Sequence, residues 1–302
     1  AGLFALDAPV DKTVLADLDR LAVILAQQKP EWAPGERQAY SMLCLGFYES
    51  ELLRRVDPSH RSLGQFFQDE IASPLGLDFY IRLPDEIPNS RLASIVEVSP
   101  LQVVRHVNRI PLRLVLAVLN PHSALRRSDR NPPTSVSLDR SHVYARNLEV
   151  PAGGGVVTAR ALARAYGVFA TGGGELGLRQ ETLQALMAPA VPPAHGYFDE
   201  CLKLDWQLSL GFAKPSRHGL VFGSPSAFGM PGWGGALAYA DPEVKAGYAY
   251  VTNRMGAAGA DPREIAIRTA FHRALERQPS RTTTVVGSVQ PWHGGPAKGV
   301  QT

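Results

Sequence analysis

The sequence predicts an α/β fold of the α+β kind, in which a long, mostly helical part precedes an antiparallel sheet and a closing helix. Three observations point there. Apolar residues recur at three- and four-residue steps in several stretches of residues 10–190. Beyond Pro193 the texture changes to short segments compatible with strands, separated by turns rich in Gly, Pro and Ser. Ala260-Asp261-Pro262 then opens a last amphipathic stretch, with proline at the first helical position. Strands grouped apart from helices argue for segregated layers.

The first helix begins at Val14 in VLADLDRLAVILAQQ, where Leu15, Leu18, Leu21, Ile24 and Leu25 recur with helical spacing, and it closes before Lys29-Pro30. After the turn Trp32-Ala33-Pro34-Gly35, Tyr40 stands at the start of a second helix whose Leu45, Tyr48, Leu52 and Val56 share one face. Residues 62–71 form a third, short helix, ended by Pro74-Leu75-Gly76-Leu77. From Pro84 to Pro151 the pattern is irregular apart from a helical stretch over 101–119, interrupted at Pro111. Thr158 is an N-cap for ARALARAYGVFA, which Gly172-Gly173-Gly174 ends, and a shorter helix covers 181–187.

Strands are expected over 206–213, 219–222, 236–240 and 247–252. The last helix, 261–277, has Ile265, Ile267, Ala270, Phe271 and Leu275 available to cover one face of the sheet. Residues 278–302 turn to Ser, Thr, Pro and Gly and read as a flexible tail, so the folded domain is expected over 1–277, helical over 10–190 and sheet plus helix over 200–277.

Composition bounds the function. With 45% hydrophobic and 20% charged residues, the 302-residue chain can bury a full core and is neither disordered nor collagen-like. A net charge of +3 implies no nucleic-acid or membrane-surface partner. No run approaches the roughly 18 apolar residues of a membrane span, and AGLFALDAPVDK lacks the basic start and apolar core of a signal peptide. Cys44 and Cys201 share no metal or redox spacing and the eight histidines are scattered, so no metal and no cofactor are expected. The lack of paired cysteines favours a reducing interior. Gly172, Gly174 and Gly177 satisfy G-x-G-x-x-G but follow a helix where the dinucleotide fingerprint needs a strand. Arg105, Arg109 and Arg113 align as a stripe without interleaved aromatics, which reads as a solvated helix face.

Lysine supplies a sharper constraint. The six lysines are Lys12, Lys29, Lys203, Lys214, Lys245 and Lys298, and three positions before them stand Pro9, Ala26, Glu200, Gly211, Pro242 and Gly295. No S-x-x-K motif occurs in the chain.

Four segments, PGERQAYSMLCLGF, SLGQFFQDEIASPLGLDFYIRLP, EVPAGGGVVTARALARAYG and FGMPGWGGALAYADPE, together resemble the serine β-lactamase-like superfamily. The likeness is to class C β-lactamases, family VIII carboxylesterases and metazoan β-lactamase-domain proteins, and it covers roughly residues 1–275. It implies the β-lactamase and transpeptidase-like architecture. In that family the site combines the serine and lysine of S-x-x-K, a tyrosine at a helix start, and a K-T-G, H-x-G or W-G-G triplet on an edge strand. Serine needs a base to become a nucleophile, and the developing oxyanion needs backbone N–H donors.

The resemblance implies that Tyr40 is the general base and that the Trp233 backbone N–H is an oxyanion donor. Met230, Pro231, Gly232, Gly234 and Gly235 are then substrate-binding positions. Read as residues alone, Tyr40 suits core packing better than a site role, and the glycine run suits a plain strand entry as well as a site. Met230-Pro231-Gly232 aligns where relatives usually carry His-Pro-Gly, and methionine cannot donate to a substrate carboxylate. Trp233-Gly234-Gly235 looks like the W-G-G of some family VIII esterases, displaced by three positions. Cys44, one turn after Tyr40, reads as inert packing.

In relatives S-x-x-K lies upstream of the segment resembling AGLFALD. The chain is therefore expected to begin downstream of the nucleophile helix, leaving a sheet edge unpaired. Two functions stay open: a serine hydrolase acting on a small-molecule ester, amide or β-lactam-like ligand, without its nucleophile segment, or a binding or structural protein that keeps the pocket and has lost the reaction.

Overall fold

The computed structural model describes residues 1–99, 111–133, 148–216, 220–256 and 261–277. The expectations for 101–110, with Arg105 and Arg109, and for the tail at 278–302 lie outside the described residues.

The expected first helix is two helices, α1 (Lys12–Ala16) and α2 (Leu18–Gln27). Asp17 breaks it by leaving helical geometry (φ −111°, ψ 93°) and accepting the Arg20 N–H at 3.0 Å as the cap of α2. A short carboxylate that can cap competes with the helical ladder, and here it wins. The next helix, α3 (Cys44–Val56), carries two overlapping apolar stripes. The expected one faces outward, with Leu45, Leu52 and Val56 exposed. Cys44 and Phe47 instead enter a core with Leu15, Leu21, Leu25 and Val150, because α2 packs on that side.

Ser62 starts α4 (Leu63–Phe67) with a capping box and passes through a π turn, Gln68–Ala72, before the chain turns away. Glu149 ties this start to a distant loop, accepting from Ser62 Oγ at 2.6 Å and from the Gly64 N–H at 3.1 Å. Two short strands, β1 (Phe79–Tyr80) and β2 (Val156–Val157), pair antiparallel. Between them lie α5 (Leu112–Leu119), with Leu112, Leu116 and Leu119 exposed, and α6 (Ala124–Arg130). Thr158 caps α7 (Ala159–Ala170) through the Ala161 N–H at 3.2 Å, and α8 (Gln180–Met187) follows.

The antiparallel sheet runs in the order β3 (Leu208–Ser209), β4 (Phe212–Ala213), β5 (Phe228–Pro231), β6 (Leu237–Asp241), β7 (Ala246–Tyr250). The single strand expected over 206–213 is a hairpin. Leu210 (φ 48°) and Gly211 (φ 80°) make its two-residue turn, which alternation alone does not reveal. Leu220–Phe222 is not a strand, and Phe222 is buried beside Tyr239 instead.

Neighbouring residues of β7 show how the sheet is covered, since successive side chains point to opposite faces. Gly247 meets α7, where a Cβ would lie 2.2 Å from the Ala163 carbonyl oxygen. Tyr248 meets Phe271 of α9 (Pro262–Glu276), ring centroids 5.3 Å apart, and Tyr239 bonds His272 Nε2 at 2.8 Å. The sheet is therefore held between α7 and α9. Ile267 and Ala270 of α9 face solvent, whereas Glu264 and Arg268 are buried and paired at 2.8 Å. Hydrophobic periodicity assigns charged residues outward, so this inward ion pair escapes it.

Lys214, at the end of β4, is 2% exposed; its ammonium donates to the Leu186 carbonyl and lies 5.3 Å from the Phe228 ring centroid. Burial lowers its pKa from the usual 10.5 to about 8. Below about pH 8 both folded and unfolded forms carry the charge, and folding bears the full burial penalty. Between about 8 and 10.5 the unfolded chain holds more protons, so this contribution to stability rises with pH. Lys214→Met is expected to raise stability at pH 7 by roughly 1–3 kcal/mol, an advantage that shrinks toward pH 10 in denaturant titrations.

Candidate active site

Tyr40 lies in an extended segment four residues before α3, not at the helix start. Two bonds turn the intervening residues into the helix: Ser41 Oγ accepts the Leu45 N–H at 3.2 Å, and the Met42 N–H donates to Ser128 Oγ at 2.9 Å. The approach to Tyr40 runs beside residues 194–200. Ala194, His195 and Glu200 donate their N–H groups to the carbonyls of Gly35, Glu36 and Gln38 at 2.8, 3.0 and 3.0 Å. Gln38 Nε2 donates to the carbonyls of Tyr197 and Trp206 at 2.8 and 2.6 Å. Trp206 stacks on the Tyr40 ring at 5.2 Å.

Burial raises the Tyr40 pKa above its ordinary value, and the Asp199 carboxylate adds to the rise. Tyr40 is thus a neutral phenol near pH 7, a proton donor that becomes a base only beside a cation that stabilises the phenolate. Asp199 is fully buried. Its Oδ1 accepts the N–H groups of Cys201 and Leu202 at 2.9 and 2.8 Å, while Oδ2 has no hydrogen-bond partner. Burial raises its pKa too.

Met230 and Pro231 sit on β5, the third of five strands, not on an edge. β4 pairs with β5 only at Ala213 and Gly229, whereas Met230 and Pro231 pair with Ala238 and Leu237 of β6. Gly232 bonds the Ala236 carbonyl at 2.7 Å and closes the loop around the single turn Trp233–Gly235. Gly234 (φ 76°) and Gly235 (φ 97°) need left-handed geometry, and a Cβ there would come within 2.4 Å of Met255 Sδ and 2.5 Å of Asp261 Cβ. Trp233 is 71% exposed and, as the first residue of the turn, has no partner for its N–H inside it.

Tyr40 and Met230 pack against one cluster, built on Trp206, Phe222, Tyr239 and Tyr248. Neither Gln38 nor Asp199 is visible as a site neighbour in the sequence, because the pairing of 35–40 with 194–200 spans about 160 positions. Burial pushes the Cys44 thiol up to about 11, which suits an inert role. Among the described residues no cluster of His, Cys, Asp or Glu could hold a metal. A hollow of about 290 Å³ lined by Arg37, His195, Phe198 and Glu200 contains none of the implied site residues.

A family model described as Beta-lactamase matches residues 1–271. The chain belongs to the beta-lactamase family. Its fold is the β-lactamase and transpeptidase-like one, as solved relatives show. A family VIII carboxylesterase matches with a TM-score of 0.71 at 28% identity, over 90% of this chain and 68% of that one. A penicillin-binding protein homolog from Caulobacter crescentus matches with a TM-score of 0.71 at 28% identity, over 91% and 68%. EstA from Arthrobacter nitroguajacolicus shares the fold with a TM-score of 0.72 at 23% identity, over 91% and 70%. The esterase/beta-lactamase LipL of Mycobacterium tuberculosis is 27% identical over 238 residues, 77% of this chain and 53% of LipL. This beta-lactamase-family chain thus spans about half the length of that curated relative. Among the described residues no helix is long and apolar enough to cross a membrane.

Proposed function

We propose that the chain is the tyrosine- and oxyanion-bearing part of a serine hydrolase acting on the ester or amide carbonyl of a small molecule, with the S-x-x-K serine and lysine lying outside these 302 residues. The observation that carries the reading is the shared cluster against which Tyr40 and Met230 pack. The similarity to LipL and to a family VIII carboxylesterase supports an ester or β-lactam-like substrate.

In this reading the serine hydroxyl attacks the carbonyl carbon and gives its proton to the Tyr40 phenolate, which the S-x-x-K lysine stabilises. The oxygen that takes up the electron pair accepts the Trp233 N–H. Tyr40, a phenol again, returns the proton to the leaving group as the acyl-serine forms. Water then attacks the ester, and the same groups act in reverse. The buried surroundings of Tyr40 suit the acid half of this cycle, and the lysine cation is what its base half requires.

Met230 fits an uncharged acyl group. Met230→His is expected to improve kcat/KM several-fold on substrates bearing a carboxylate, through a charge-assisted hydrogen bond, and to leave neutral esters within about twofold. A second reading, a binding protein that keeps the pocket without the reaction, is favoured by Met230, whose side chain has no hydrogen-bond donor. Hydrolysis of p-nitrophenyl butyrate and nitrocefin by the chain extended with S-x-x-K separates the two. Turnover supports the hydrolase, whereas saturable binding of a phenyl ester without turnover supports the binder.

A further inference from the structure

We propose that the turn over residues 197–206 is the positioning frame of Tyr40, with Gln38, Asp199 and Trp206 as its positioning residues. The inference rests on the reading of Tyr40 as a site residue and adds how that residue is held. Gln38 fixes the backbone two residues before Tyr40 by bonding both ends of the turn, at the carbonyls of Tyr197 and Trp206. Trp206 fixes the ring by stacking. Asp199 fixes the turn itself, gathering the Cys201 and Leu202 N–H groups on Oδ1.

Two buried polar atoms of the frame remain. Asp199 Oδ2 and Trp206 Nε1 are both buried, and neither has a hydrogen-bond partner. Leaving such groups unpaired costs stability that an apolar residue would not lose. Both belong to residues that act on Tyr40, Trp206 through its ring and Asp199 through its charge. The frame holds the phenol in place, and the carboxylate keeps the proton on it until a cation arrives. The other charged or titratable groups near the turn are Glu200 and Lys203, which pair with each other, Asp205, bridged to Phe198 and exposed, Arg37 on Glu200 and on His195 Nδ1, and Arg127 of α6 toward Cys201.

The test labels the 302-residue chain with 13Cζ-tyrosine, assigns the Tyr40 signal by its loss in Tyr40→Phe, and follows it with pH. In the unaltered chain the signal should move twice, once in acid as Asp199 protonates and once above pH 10 as Tyr40 itself ionises. Asp199→Asn keeps the acceptor for the turn but removes the charge. It should abolish the acid step and lower the Tyr40 midpoint. A missing acid step in the unaltered chain, or an unchanged midpoint in a folded Asp199→Asn chain, overturns the proposal. If Asp199→Asn does not fold, the acid step of the unaltered chain decides alone. No turnover is needed, so a failure of the hydrolase reading shows in the ester assay and not here.

Discussion

Tyr40→Phe, in a form of the protein that carries the S-x-x-K segment, is expected to lower kcat/KM for a short-chain ester by about 10²–10⁴-fold. The loss should fall on kcat, because the phenol oxygen acts on a proton in flight and not on the bound substrate. Stability should hardly change. The ring, not the hydroxyl, makes the contacts seen here, with Trp206 and the sheet cluster, and phenylalanine keeps them. Thermal unfolding beside the ester assay separates a lost proton carrier from a lost fold.

Gly247→Ala, like Gly229→Ala on β5, is expected to place a strongly damaging methyl group in the sheet. A Cβ on Gly247 would lie 2.2 Å from the Ala163 carbonyl oxygen and 2.3 Å from the Gly167 nitrogen, both backbone atoms of α7. Backbone cannot rotate away, so α7 must lift from β7 or the strand must bend. The cost is about 3 kcal/mol, at the upper end of ordinary overpacking, and about 6–12 °C in Tm. Gly174→Ala is the control. No atom lies within 4 Å of its Cβ position and its φ is ordinary, so it should stay within about 0.5 kcal/mol. Equal losses in both would mean that α7 does not rest on β7 as described.

The elements that the sequence makes plain are those whose signals are local. Thr158, Ser62 and Asp261 each cap the helix expected of them, since a cap and the helix it starts are neighbours in the chain. What stays hidden is set by distant partners. The inward face of α3 depends on α2, the burial of Glu264 and Arg268 on the loop at Val221, and the setting of Tyr40 on a turn far along the chain. Around the site, the motif residues are legible by resemblance. Their surroundings are not, because neither the carboxylate beside Tyr40 nor the packing that demands glycine at 234 and 235 leaves a mark in the local pattern.

The most direct test of the hydrolase reading is labelling with a fluorescent phosphonate, located by mass spectrometry. The folded 302-residue chain should take no label at any serine, at Tyr40 or at Cys44, since an ordinary hydroxyl without a base stays protonated and the Cys44 thiol is buried. The form extended with S-x-x-K should take one label, on the serine of that motif, and at least about 10²-fold more slowly once Tyr40 is phenylalanine. A label on a single serine within the folded 302 residues, or none in the extended form, would contradict it.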